Sequence, residues 1–103
     1  MTDIQTIMAA ITAVTGVTEE QLRSPSRLGR ISRARRYAYY LMHHDAGMSY
    51  PAIARFLQRT THNAALFGTR SLEGELEVGL KETARTIARI RAEYNTHKDT
   101  PQQ

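Results

Sequence analysis

Apolar residues recur at intervals of three and four along most of this chain. Ile4, Ile7, Met8, Ile11 and Val14 fall on one face of a helix, and Gly16 stands where a helix C-terminal glycine belongs. Thr18 and Gln21 have the spacing of a capping box, with Val17 and Leu22 as the hydrophobic staple. They predict a second helix, cut short by Ser24-Pro25-Ser26. A third is expected from about Ile31 to Ala46, closed by Gly47. Its stripe Ile31, Ala34, Ala38 and Leu41 faces a core, while Arg33, Arg36, Tyr40 and His43 lie on another face.

Ser49 caps a further helix whose first turn tolerates Pro51, because the missing N–H would be unpaired there anyway. Ile53, Ala54 and Leu57 continue its apolar face, and another helix opens at Thr61-His62-Asn63 and runs to about Leu72. A last amphipathic helix is expected from Glu75 to Tyr94, carrying Leu76, Leu80, Thr83, Ile87, Ile90 and Tyr94. No strand pattern competes. The expected fold is all-α: a helix-turn-helix domain over 1–73, a C-terminal amphipathic helix over 74–95 for packing or dimerisation, and a polar flexible tail over 96–103. Leu76, Thr83 and Ile90 repeat every seven residues, as do Leu80, Ile87 and Tyr94. The run is too short for a firm coiled coil, so packing onto the chain's own core is the favoured expectation.

Length and charge narrow the chemistry. The 103 residues make one small domain, and the formal charge is +4. Only Lys81 and Lys98 are lysine; the other 12 cations are arginine, whose planar fork suits phosphates and guanine edges. Placement says more than the total. Residues 1–22 hold no cation, whereas residues 23–36 hold Arg23, Arg27, Arg30, Arg33, Arg35 and Arg36 and no acid. Such a confined basic zone has the form of a binding surface. Cysteine is absent, and no stretch approaches the ~20 apolar residues of a membrane span. MTDIQTIMAA lacks the basic start of a secretory signal, so a cytoplasmic, nucleoid-associated protein is expected.

Helices 50–57 and 61–72, joined by a tight turn, form a helix-turn-helix pattern in which the second helix enters the major groove. Thr60, Thr61, His62 and Asn63 at its start carry donors and acceptors suited to base edges. An equally open alternative is that a threonine only caps the helix and His62 is solvated. His43-His44-Asp45 does not make a metal site by spacing, because adjacent helical side chains diverge by about 100°. No catalytic constellation and no cofactor motif is present.

In order along the chain, Val17 to Leu22, Ser24-Pro25-Ser26-Arg27, Arg33-Ala34-Arg35, Tyr40-Leu41, Ser49-Tyr50-Pro51-Ala52-Ile53-Ala54 and His62 match a known series of motifs. Over Ile11 to Leu76, without gaps, the chain resembles domain IV, the DNA-binding domain of the bacterial replication initiator DnaA. The resemblance implies Arg27 in the minor groove, Arg35 on the DNA backbone, and Thr61, His62 and Asn63 at bases. Arg30, Arg33, His43, Ser49 and Arg59 join Arg27 and Arg35 as expected phosphate or minor-groove contacts, and Thr60 joins the base readers. The family's Arg-Asp-His-Thr-Thr is Thr60-Thr61-His62-Asn63-Ala64 here, and its turn glycines are Gln58 and Arg59. The docking mode is therefore expected to carry over, but the target sequence is not. No Gly-x-x-x-x-Gly-Lys-Ser/Thr loop is present, so the initiator's ATP-driven assembly is not expected.

The expected partner is double-stranded DNA, bound by a monomer or a homodimer. A transcriptional regulator comes first, since free-standing domains of this kind resemble phage or gene-transfer-agent regulators, with transcription machinery or another regulator as a further partner. The alternatives are a replication accessory factor at an origin and a helical adaptor whose arginine face binds an acidic protein.

Overall fold

The computed structural model describes the backbone of residues 1–98 and the side chains of residues 1–95. Local capping chemistry starts and stops most of the helices. α1 (Ile4–Thr15) begins where the Asp3 side chain accepts from the Gln5 N–H, and it ends at Gly16, which is left-handed with φ 76°. α2 (Glu19–Arg23) carries the full capping box between Thr18 and Gln21. α3 (Gly29–His44) has no side-chain cap at its start. α4 (Tyr50–Phe56) starts at Ser49, whose Oγ accepts from the Ala52 N–H, with Pro51 in the first turn.

α5 (Asn63–Glu77) and α6 (Lys81–Lys98) differ from the sequence expectation. The break lies at 78–80, not near 73, so Leu76 belongs to α5 and Leu80 to the connecting turn. The reason is Gly79, which takes φ 80°. Its N–H donates to the Leu76 carbonyl and the Leu80 N–H to the Glu75 carbonyl, the paired bonds that close a helix end. Gly74 stays inside α5. The two expected heptad series therefore do not share one continuous helix. α6 continues to Lys98, past the expected end near Tyr94; residues 99–103, most of the expected tail, lie outside the described residues.

Ile7, Ile11, Leu22, Leu41, Met42, Ile53, Leu57, Leu72 and Ile90 are fully buried in one core to which all six helices contribute. α3 is its axis and makes its broadest contact with α5. That approach is close because residue 68 is glycine: a Cβ there would overlap the Tyr39 ring. α6 lies mainly against α1, and Thr83, Ile87, Ile90 and Tyr94 are buried. The apolar stripe of α6 is thus covered by the protein's own core. Glu75 of α5 reinforces the join: it accepts from Thr83 of α6 and pairs with Arg33 and Arg36 of α3 at 3.6 and 3.5 Å.

Candidate nucleic-acid interface

α4 and α5 pack together as the two arms of a helix-turn-helix. The turn between them is built on Gln58, the only non-glycine residue with positive φ (57°) among the described residues. The Gln58 N–H donates to the Arg55 carbonyl and the Arg59 N–H to the Ala54 carbonyl, at 3.2 and 2.8 Å. This is the same helix-closing pair that Gly79 completes on α5, with glutamine in the left-handed position that usually selects glycine.

The turn delivers Thr60, Thr61, His62 and Asn63 to solvent at the start of α5. All four are exposed, and their side chains make no hydrogen bond within the described residues. α5 begins after His62 without a side-chain cap, so neither threonine is used to close the helix. These donors and acceptors are free for another molecule.

Four of the expected contact residues surround a cleft of about 360 Å³ beside this helix start: Arg27, Arg35, Arg59 and Thr60, together with Gln58. Their roles differ. Arg27 is exposed and unbonded, on the loop after α2. Arg35 is only 5% exposed, and its guanidinium donates to the Leu22 carbonyl at 2.8 Å and to the Gln21 and Ser24 carbonyls. Burial, followed by the nearby Arg59 charge, lowers its pKa. Arg59 donates to the Arg23 and Ser24 carbonyls at 3.0 and 2.7 Å. Arg23, on the same loop margin, pairs with Glu19 and donates to the Phe56 carbonyl of α4 at 2.9 Å. Arg35 and Arg59 were expected at phosphates. In the structure they clamp the end of α2 and Ser24, where the loop that carries Arg27 begins, onto the helix-turn-helix; the carbonyls of a helix's last turn lack intrahelical partners and take these donors.

The other expected residues are not gathered there. Arg30 and Arg33 lie on the opposite side of α3, lining a groove with Tyr37, Glu82 and Arg89. Arg33 also donates to the Tyr37 hydroxyl at 3.2 Å and reaches Glu75. Five and two residues before Arg35, at about 100° per helical residue, Arg30 and Arg33 point away from it. Neither lines the cleft around Arg27. His43 is half-buried at the α3–α4 junction, where its Nδ1 meets the Met48 carbonyl at 3.0 Å and its ring stacks on Tyr50 with centroids 4.3 Å apart. That contact holds the ring between α3 and α4. Ser49 is exposed, with its oxygen engaged as the α4 cap. His44 turns to Glu73 and Asp45 to Arg91, so the His43-His44-Asp45 triplet disperses.

A family model for the bacterial DnaA protein helix-turn-helix matches residues 4–71, more than half of the chain. The chain belongs to this DnaA helix-turn-helix family. It is thus a DNA-binding domain, and the family match implies a double-stranded partner. No helix among the described residues is long and apolar enough to cross a membrane.

Sequence reasoning missed the outer face of the DnaA-type second helix beyond its first turn. Ala65, Gly68, Thr69 and Leu72 form its buried side. Asn63, Phe67 and Arg70 are all exposed on the other. The spacing of four and then three was available in the sequence. The burial of Ala65, Gly68, Thr69 and Leu72 shows that Phe67 faces out.

Proposed function

We propose that this DnaA-type domain is a sequence-specific binder of double-stranded DNA, acting as a transcriptional regulator. α5 enters the major groove, Thr60, Thr61, His62 and Asn63 contact base edges, and Arg27 reaches the adjacent backbone or minor groove. The observation that carries the reading is the set of four exposed, unbonded polar side chains at the start of the second helix, next to an unpaired arginine on a clamped loop. Short polar groups at this position suit adenine N6/N7 and guanine N7/O6, and a planar guanidinium suits a phosphate or a narrow minor groove.

A regulator is favoured over a replication factor on residue chemistry. The aspartate and arginine of the family's signature are replaced by Thr61 and Thr60, so the base pattern favoured by this helix differs from the initiator's. Selection from a pool of random duplexes tests the reading. It predicts an enriched motif distinct from the initiator's box. Recovery of that box would move the replication role ahead, and the absence of any motif would remove specific recognition altogether.

A further inference from the structure

Phe67 is 62% exposed in the middle of α5, although α5 buries residues on both sides of it. A largely wet aromatic ring on a helix that packs well elsewhere calls for a use. Its neighbours on the helix surface define that use. Asn63 lies one turn before it and Arg70 almost one turn after, both exposed and neither in an ion pair or side-chain hydrogen bond among the described residues. Asn63, Leu66, Phe67 and Arg70 have the i, i+3, i+4, i+7 spacing by which a groove-bound recognition helix presents side chains to successive bases. The other exposed apolar side chain of this helix end, Val78, is eleven residues further on, about 16 Å along the axis, so Phe67 is not part of a larger apolar patch on α5.

An aromatic side chain in the major groove has one apolar partner among the base edges, the 5-methyl group of thymine. We infer that Phe67 is a specificity-determining residue of this helix and selects a thymine through its methyl group. The inference rests on α5 being the groove-bound helix. Phe67 is about 6 Å along the axis from Asn63, so the selected thymine lies about one or two base pairs beyond the base that Asn63 contacts. The contact covers the ring, removes the methyl from water, and requires no hydrogen bond. Arg70, one turn deeper, is placed for the phosphate that follows.

The test uses the duplex selected by the intact chain, with each thymine replaced in turn by deoxyuridine, which lacks only the methyl group. For the wild-type chain one replacement, near the Asn63 contact, is expected to weaken binding by about 3–10-fold. In Phe67→Ala that same replacement has no effect, and the variant accepts other bases at that position while keeping the rest of the motif. The ring is exposed, so the variant keeps its fold, checked by an unchanged melting temperature. Two results overturn the inference alone: thymine and deoxyuridine duplexes that wild type and Phe67→Ala bind in the same ratio at every position, or a wild-type dimer in solution that Phe67→Ala converts to monomer with its base preferences intact. Failure to select any site overturns the reading of α5 and this inference together.

Discussion

Arg35 and Arg59 donate to the same atom, the carbonyl oxygen of Ser24. One comes from the middle of the core helix and the other from the turn of the helix-turn-helix, so a single loop carbonyl ties three parts of the chain together. Two guanidiniums converge on one oxygen with no acid between them, and the nearby Arg59 charge helps to lower the pKa of Arg35. The arrangement fixes the loop bearing Arg27 relative to the start of α5, and that spacing is what a protein needs to contact a groove and the adjacent backbone at once.

The division of labour among the arginines separates stability from binding. Arg35→Ala is expected to destabilise the fold by roughly 2–4 kcal/mol in urea unfolding, because buried carbonyls lose charged donors. Arg27→Ala should leave stability within about 0.5 kcal/mol and lower the salt slope of DNA binding by about 1. If Arg35→Ala lowered the slope while leaving stability intact, the clamp assignment would be wrong.

Gln58 holds a left-handed conformation that side chains resist, so Gln58→Gly relieves strain at the cost of a more flexible unfolded chain. The balance favours the variant by about 0.5 kcal/mol. A rise of the urea midpoint at unchanged m-value is the expected observation; a clear fall would show that the glutamine side chain contributes contacts that offset its backbone.

Gly68→Ala runs the other way. Alanine favours a helix by about 1 kcal/mol over glycine, but the added methyl group would overlap the buried Tyr39 ring. Net destabilisation of roughly 1–3 kcal/mol is expected from the overpacking. Thermal unfolding at or above the wild-type temperature would mean that α3 and α5 separate easily.

Stability at high pH tests the docking of α6. Tyr94 is buried against the core, and burial first, then the Asp45 carboxylate, raise its pKa above the ordinary tyrosine value. The folded protein therefore retains a proton that the unfolded chain releases above about pH 10. This contribution is fully present below that pH and is lost as pH rises beyond it. Tyr94→Phe should flatten the alkaline decline in unfolding free energy, leaving the smaller part due to Tyr39, which is also raised by burial. An unchanged alkaline decline would show that Tyr94 titrates normally.

Most helix starts were legible because their caps are local: the Thr18–Gln21 box and the Ser49 cap involve residues three apart. The α5–α6 boundary was not. Gly74 and Gly79 both stand in the run, and only packing decides that Gly74 stays helical while Gly79 turns left-handed. The arginine cluster was visible as a charge block, but its functions depend on distant partners. Arg23 meets Phe56, Arg36 meets Ser71, and Arg33 meets Thr83. Of the six arginines in 23–36, the fold engages Arg23, Arg33, Arg35 and Arg36 internally and leaves Arg27 and Arg30 without a bonded partner among the described residues. The four polar residues at the start of α5 were found because a helix-turn-helix fixes their position relative to the turn. Their freedom from capping is a structural result.

The central claim, that the start of α5 reads sequence, is tested most directly by the affinity ratio between a selected duplex and its scrambled counterpart at one fixed salt concentration. The wild-type chain is expected to show a ratio of at least about 10³. His62→Ala should reduce the ratio by roughly tenfold or more while binding the scrambled duplex as the wild type does. A wild-type ratio near one, or equal losses on both duplexes for His62→Ala, would contradict the account.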